Sequence, residues 1–206
     1  MRPLLTAALI LAPILGYTQD ASDNFYIGVS GGVFSYRETL TVRDYGALFG
    51  VSEITLFEDH THASRVYGGY RITDRWSVEA GYSATGALGS TDFFFDPILG
   101  DVDSDVNWDY ELLSMRALWT GRFGPMFSLF AGGGLVTVDS LINVSETSAC
   151  CGALSLSYSE RDRGATATFG MEWALGAVAL RGEWELFFLE NDLDTDVLSI
   201  GLKWEF

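Results

Sequence analysis

Residues 197–206 read VLSIGLKWEF and form the most regular stretch of the sequence. Apolar side chains alternate there with small or charged ones, up to the terminal aromatic residue Phe206. Side chains on a β-strand point alternately to opposite faces, so every second residue of this stretch shares one apolar face. The stretch therefore predicts a long strand whose apolar face, which ends in Trp204 and Phe206, needs an apolar environment.

The same period of two recurs in seven further segments of the chain. They cover residues 24–34, 65–72, 76–84, 110–121, 126–136, 165–175 and 177–188, and only Phe130 clearly breaks the alternation. Strands of about 8–12 residues are long enough to cross the hydrocarbon of a bilayer when they are tilted. With the final strand, the pattern predicts an all-β protein with eight antiparallel strands.

The connections between these segments alternate between short and long. Residues 73–75, 122–125 and 175–176 are short turns, whereas residues 35–64, 85–109, 137–164 and the shorter 189–195 are loops. Short periplasmic turns and long extracellular loops are typical of outer-membrane barrels. The fold class predicted here is therefore an eight-stranded antiparallel transmembrane β-barrel of the outer-membrane type.

The polar faces of the strands carry equal numbers of positive and negative side chains. An unpaired buried charge costs several kcal/mol, so this balance predicts an ionic network inside the barrel. A lipocalin-like barrel, with its apolar face turned inward around a ligand, is the alternative. The glycines and serines of the polar face fit a narrow interior better, and aromatic residues near strand ends are typical of membrane girdles. The predicted network consists of Arg65, Arg71, Glu79, Arg116, Glu172, Arg181, Glu183, Glu185, Lys203 and Glu205.

The N-terminal segment has the features of a secretory leader. A basic start at Arg2 precedes an apolar run from Leu4 to Leu15, and Gly16 begins a plausible cleavage region. The run is too short to span a bilayer as a helix, which takes about 20 residues. We expect residues 1–18 to be a cleaved signal peptide and residues 19–206 to be the barrel domain. A buried N-terminal helix is the alternative reading.

From residue 24 to Phe206 the chain resembles the small eight-stranded outer-membrane barrels, the OmpA-like or porin-family proteins. The closing Trp204 and Phe206 resemble the C-terminal signal that the barrel assembly machinery reads in that family. The resemblance implies escort by periplasmic chaperones, residence in the outer membrane, and a lumen closed by ionic pairs. Because the sequence ends at Phe206, no periplasmic peptidoglycan-binding domain is expected.

The acidic composition limits the partners of the chain. Its 206 residues carry a formal net charge of −16, which would repel a nucleic-acid backbone. Outer-membrane lipids and lipopolysaccharide are the expected partners, besides the assembly machinery and chaperones. The cysteines Cys150 and Cys151 are adjacent, so an internal disulfide would be strained, and a free or intermolecularly paired thiol is the alternative.

Two groups of residues are weak candidates for metal ligands. His60 and His62 share a strand face next to acidic residues and could bind zinc or copper. Asp101, Asp103 and Asp105 resemble the start of a calcium loop, but the glycine and glutamate of such a loop are missing. We therefore expect no metal site and no cofactor, with loosely bound Ca²⁺ as the alternative.

The sequence predicts a non-enzymatic outer-membrane protein that is structural or displayed on the surface, in envelope integrity or adhesion. Two alternatives remain. The first is a small diffusion pore or transport barrel. The second is a lipid A-modifying hydrolase, because His62 and Ser64 resemble the His-x-Ser pair of the outer-membrane lipid A deacylases. No acidic third member of a catalytic group is marked by its spacing.

Overall fold

The computed structural model of the chain describes residues 24–36, 60–96, 100–148, 150, 152–190 and 194–206. Within these ranges the chain forms nine antiparallel strands of one sheet. They are β1 (Phe25–Tyr36), β2 (His60–Arg71), β3 (Trp76–Thr85), β4 (Leu88–Asp96), β5 (Gly100–Arg122), β6 (Phe127–Ser148), β7 (Gly152–Leu175), β8 (Val178–Leu189) and β9 (Asp194–Glu205). None of the described residues lies in a helix that is long and apolar enough to cross a membrane.

The sheet closes on itself. β1 pairs with β2 on one side and with β9 on the other, so that Ile27 lies opposite both Gly68 and Trp204. β3 and β4 follow each other along the same neighbour, β5, and are separated only by residues 86–87. If β3 and β4 are taken as one interrupted strand, the ring has eight members. The structure confirms the predicted eight-stranded antiparallel barrel.

The exterior of the barrel is apolar and the interior is polar. Leu135 and Met115 point outward and are 73% and 68% exposed, although both are large and hydrophobic. Arg116 follows Met115 in β5, points inward, and is only 2% exposed. A water-soluble barrel has the opposite distribution, with a polar exterior and an apolar interior. The apolar exterior and polar interior therefore exclude a lipocalin-like barrel, in which an apolar interior surrounds a ligand along the whole lumen.

Three short turns lie at one end of the barrel, which we call the turn end. Residues 72–75, 123–126 and 176–177 connect β2 to β3, β5 to β6 and β7 to β8. Gly124 and Gly176 adopt φ values of 90° and 81°, in the left-handed region that glycine adopts without a Cβ clash. The hydroxyl of Thr73 accepts a hydrogen bond from the backbone N–H of Trp76 at 3.0 Å. The turns lie where the sequence predicts them.

At the opposite end, two of the predicted loops are paired strands. β4 pairs with β5 from Leu88 opposite Trp108 to Asp96 opposite Gly100, within the predicted loop 85–109. β6 and β7 stay paired as far as Ser148 opposite Gly152, within the predicted loop 137–164. We call this the hairpin end. Most outward positions there are polar, with Phe93 as an exception, because they no longer contact lipid. The apolar alternation that marks the membrane strands therefore stops before the strands do.

The inward face also becomes apolar toward the hairpin end. The rings of Phe34 and Tyr110 lie 5.4 Å apart between centroids, and those of Trp108 and Tyr110 lie 6.1 Å apart. The sequence does not predict this cluster, because much of it lies in segments assigned to loops. Its buried members are Phe34, Ala63, Leu88, Val106, Trp108, Tyr110, Leu112, Val136, Val138, Ile142 and Phe187.

Two sequence predictions lie outside the described residues. The predicted signal peptide, residues 1–18, is among them, and so are residues 37–59 of the first predicted loop. Cys150 is described and is disulfide-bonded, so its thiol is not free, whereas Cys151 is not among the described residues.

Candidate functional site

The lumen brings together all ten charged residues that the sequence places on the polar strand faces. β2, β3, β5, β7, β8 and β9 supply them, and each of the ten takes part in at least one ion pair. Inward side chains of an eight-stranded barrel are close enough to touch across the lumen, because the barrel is only wide enough for side chains to fill it. The pairs form one connected network with a central and a lower part.

The central part is built around Glu79 of β3. Arg116 forms ion pairs with Glu79 and with Glu183, and its Nε donates to Glu79 Oε1 at 3.0 Å. Arg181 Nη1 lies 2.7 Å from Glu79 Oε2, and its Nη2 lies 2.8 Å from Glu183 Oε2. Two guanidinium groups from different strands therefore share the same two carboxylates.

Arg65 completes the central part from β2. It forms an ion pair with Glu185 and lies 3.4 Å from Glu183 Oε1, while its Nη2 donates to Ser114 Oγ at 3.1 Å. Threonines of β7 support the same carboxylates. Thr166 Oγ1 donates to Glu185 Oε1 at 2.9 Å, and Thr168 Oγ1 donates to Glu183 Oε1 at 3.1 Å.

The lower part of the network lies toward the turn end. Lys203 forms an ion pair with Glu172 and lies 3.0 Å from Glu205 Oε1, which also accepts a hydrogen bond from Arg71 Nη2 at 2.7 Å. A longer contact of 3.7 Å between Arg181 and Glu172 connects this part to the central one. Exposure of the charged groups rises from the central part to this one, as expected near an open end.

Aromatic rings flank Arg181, one of the three arginines of the central part. The guanidinium carbon of Arg181 lies 4.2 Å from the ring centroid of Phe130 and 4.8 Å from that of Tyr67. Cation–π contacts of this kind are favourable and are strongest where water is excluded. The sequence pattern does not assign Phe130 or Tyr67 to the site. The available signal was the position of Phe130, which breaks the alternation of its strand by placing a large ring on the small-residue face.

The charges of the central part balance within the buried lumen. The central part contains three cations and three carboxylates, and each of the six side chains is less than 10% exposed. They are Arg65, Arg116, Arg181, Glu79, Glu183 and Glu185. Burying a lone charge is costly, whereas charges that are paired with partners of opposite sign are better tolerated. The arrangement places mutually paired side chains in the middle of the lumen.

The lumen differs at its two ends. At the turn end, a cavity of about 300 Å³ opens inward as far as Tyr26, Phe130 and Lys203. At the hairpin end, the apolar cluster around Phe34 and Val106 lies above the ionic network. The network thus lies between an open cavity and an apolar layer.

The weak metal candidates lie on the outside of the barrel. His60 and His62 point outward from β2, and Asp101, Asp103 and Asp105 are exposed on the outward face of β5. Among the described residues, no group of three or more His, Cys, Asp or Glu side chains converges as metal ligands would.

Comparison with known proteins identifies the family. The sequence profile described as outer membrane protein beta-barrel domain matches residues 4–206. The chain belongs to this family, which confirms the outer-membrane barrel class that its strand pattern predicts. Membership indicates residence in the outer membrane, where the apolar exterior contacts lipid and the turn end faces the periplasm.

Solved structures of small outer-membrane barrels resemble the fold. Neisserial surface protein A shares 13% identity, with a TM-score of 0.55, over 89% of this chain and 97% of that chain. The attachment invasion locus protein of Yersinia pestis, in complex with the heparin analogue sucrose octasulfate, shares 14% identity with a TM-score of 0.50. The match covers 89% of this chain and 99% of that one. Comparison with curated proteins gives no match.

Proposed function

We propose that the chain is a non-enzymatic outer-membrane barrel with a closed lumen, which displays a protruding sheet at the cell surface for adhesion or envelope integrity. The observation that carries the proposal is the filled lumen. Arg116 and Arg181 share the carboxylates of Glu79 and Glu183, and the ring of Phe130 covers Arg181. A barrel that conducts ions needs a continuous water path, and paired side chains occupy that path here.

The alternative of a diffusion pore has less support. Its best evidence is the periplasmic cavity of about 300 Å³. This cavity reaches the ionic network from one side only, and the apolar cluster with Phe34, Tyr110 and Val136 lies on the other side. An ion would have to separate several buried ion pairs and then cross an apolar layer, and both steps are costly.

The display role rests on the hairpin end. β6 and β7 extend together beyond the membrane strands, and residues 152–159 of β7 are exposed along their whole length. On one face of that segment lie Leu154, Leu156 and Tyr158, which are 38–48% exposed. We call these three residues the hairpin patch. A cluster of apolar side chains in water, outside the lipid, is typical of a surface that contacts a partner.

The alternative of a lipid A hydrolase lacks a paired nucleophile and base. His62 and Ser64 both point outward from β2, two residues apart, and their side chains form no hydrogen bond with each other. A base must come within about 3 Å of the nucleophile. The Oγ of Ser64 instead donates to the backbone carbonyl of Ala84 at 3.4 Å.

Several further expectations belong to the same proposal. The chain is exported with a cleaved signal peptide, residues 1–18, and is inserted by the barrel assembly machinery after escort by periplasmic chaperones. Trp204 and Phe206 act as the assembly signal, and Phe206 ends the chain beside β1, where its N–H donates to the carbonyl of Phe25 at 3.1 Å. Lipids and lipopolysaccharide are its partners, and no cofactor is required.

The test compares Gram-negative cells that express the wild type, the triple variant L154S/L156S/Y158S, or neither. A matched control, S155A/S157A/S159A, alters the other face of the same segment. We expect the wild type to raise cell adherence to epithelial monolayers or resistance to detergent, without faster uptake of a hydrophilic dye. If adhesion is the role, the hairpin-patch variant loses the gain in adherence and the control keeps it.

Three outcomes contradict the proposal. Faster dye uptake with the wild type would favour the pore. A mass change of lipid A in cells that express the protein would favour the hydrolase. No effect on adherence or on detergent resistance would leave the display role without support.

A further inference from the structure

The periplasmic cavity has a charge pattern that differs from the rest of this acidic chain. Four cationic side chains line it, against three carboxylates. Over the whole sequence the acidic residues number 28 and the Lys and Arg residues number 12. The cations that line the cavity are Arg71, Arg75, Arg122 and Lys203, and the carboxylates are Asp74, Glu172 and Glu205.

Two of the three carboxylates are already neutralised within the network. Glu205 Oε1 lies 2.7 Å from Arg71 Nη2 and 3.0 Å from Lys203 Nζ, and Lys203 also pairs with Glu172. Arg75 and Arg122 are both exposed, and neither forms an ion pair with another described residue. The mouth of the cavity therefore holds two guanidinium groups that the network does not use.

The strand registers place these two arginines next to each other. The backbone carbonyl of Arg75 accepts a hydrogen bond from Thr120 N–H at 2.8 Å, and Arg122 follows Thr120 on the same inward face of β5. On the other side of β5, Arg122 lies opposite Ser128. Side chains at diagonal positions on adjacent strands can contact one another when they are as long as arginine. Two guanidinium groups and two hydroxyl groups thus lie on one wall of the cavity.

We propose that this wall is a phosphate-binding site, with Arg75 and Arg122 as the cationic ligands and Thr120 and Ser128 as hydroxyl donors. A guanidinium fork matches phosphate oxygens with two parallel hydrogen bonds, and hydroxyl groups satisfy the remaining oxygens. The cavity volume of about 300 Å³ is large enough for a phosphate group together with part of the molecule that carries it.

Two sources of phosphate reach this mouth. One is a soluble phosphorylated compound of the periplasm, and the other is the headgroup of an inner-leaflet phospholipid at the rim of the barrel. Both present the same group to Arg75 and Arg122, so the experiment uses one probe for each source. The site is independent of the closed lumen and of the hairpin patch.

The test uses residues 19–206, refolded in a phosphate-free maltoside detergent at constant ionic strength set with chloride. Inorganic phosphate is titrated while NMR records the Nε–H signals of the arginines and the backbone N–H signals of residues 120–128. We expect saturable shifts of Arg75, Arg122 and Ser128. Loss of both guanidinium groups, in R75Q/R122Q, should weaken binding by about tenfold or more.

The matched control is R161Q/R163Q, which removes two arginines from the outward face of β7 at the hairpin end. Its affinity for phosphate should equal that of the wild type. A heat-modifiable band on gels shows that each variant is folded. In a second arm, short-chain phosphatidylglycerol replaces phosphate, and saturable shifts of the same signals assign the site to lipid headgroups as well.

The proposal is overturned if neither probe gives saturable shifts. It is also overturned if R75Q/R122Q binds phosphate as tightly as the wild type. Equal weakening in R161Q/R163Q would show that phosphate responds to overall charge rather than to this wall of the cavity.

Discussion

At the scale of single residues, Arg181 connects the central and lower parts of the ionic network. Its guanidinium group contacts Glu79, Glu183 and the more distant Glu172, and it lies between the rings of Phe130 and Tyr67. Removing this cation would leave carboxylates buried without their partner. Removing one partner from a buried ionic network destabilises the fold strongly, because the charge that remains has neither a partner nor water around it. This loss is larger than the stabilisation that the intact network contributes.

The variant Arg181→Leu should therefore lower the free energy of unfolding by about 3–5 kcal/mol. The measurement is reversible urea unfolding of the refolded barrel, followed by tryptophan fluorescence. The control is Arg163→Leu, because Arg163 is exposed on the outward face of β7 and makes no ion pair with the described residues. Equal unfolding midpoints for Arg181→Leu and the wild type would contradict an interior role for Arg181.

Outside the membrane, Asp139 and Arg161 form a pair on neighbouring strands. Hydrogen bonding to Arg161 lowers the pKa of Asp139 below its ordinary value. A lowered pKa in the folded state means that the pair stabilises the fold above the ordinary pKa of Asp, and that this contribution is lost as the pH falls through the folded value. Carboxyl ¹³C NMR of Arg161→Gln should show the pKa of Asp139 return toward its ordinary value. An unchanged titration would contradict the pairing.

The charged residues of the lumen were easier to find in the sequence than their neighbours. Glu79 and Arg116 could be placed on the inward face from the period of two alone. The contact between Phe130 and Arg181 depends on how β6, β7 and β8 are aligned, and no single strand carries that information. For the same reason the sequence did not show that Thr166 and Thr168 donate to Glu185 and Glu183.

At the scale of strands, glycines opposite inward aromatic rings fix the alignment. Tyr67 lies opposite Gly28, Tyr26 opposite Gly69, and Phe130 opposite Gly170. In each case a Cβ on the glycine would come within 2.1 Å of the ring. The ring can therefore lie flat over the neighbouring strand only where that residue is glycine, and a shift of one residue would end the match.

Gly170→Val should displace the ring of Phe130 and weaken its contact with Arg181. We expect a loss of at least about 1–3 kcal/mol in the free energy of unfolding, as for other overpacked sites. The control is Gly182→Ala on the adjacent strand, where the nearest atom to a new Cβ, Met171 Cγ, is 3.7 Å away. If both variants unfold at the wild-type urea concentration, the ring does not pack as described.

The lengths of the strands were only partly predictable. The turn-end boundaries agree with the sequence because Thr73, Gly124 and Gly176 mark turns by their own chemistry. The hairpin-end boundaries do not agree, because β5, β6 and β7 continue for 22–24 residues, well past the apolar belt. A strand outside the membrane is stabilised by hydrogen bonds to its neighbouring strand. Such pairing restricts the choice of side chains less than contact with lipid does, so it is harder to predict from the sequence.

At the scale of the whole molecule, three layers follow one another along the barrel axis. A cavity opens to the periplasm, a balanced ionic network lies in the middle, and an apolar cluster with Phe34 and Ile142 lies in the outer part. The fold class and the polar middle could be predicted from the sequence. The apolar layer could not, because six of its eleven buried residues, among them Val106, Trp108 and Ile142, lie in segments that the sequence pattern assigns to loops.

We propose that these layers leave no path for ions. The most direct test is the conductance of refolded residues 19–206 in a planar lipid bilayer, with a heat-modifiable band as proof of folding. We expect a silent bilayer at moderate voltage. Discrete, reproducible conductance steps from the folded wild type would contradict it, because they would require water to pass between Arg116, Arg181 and their carboxylates.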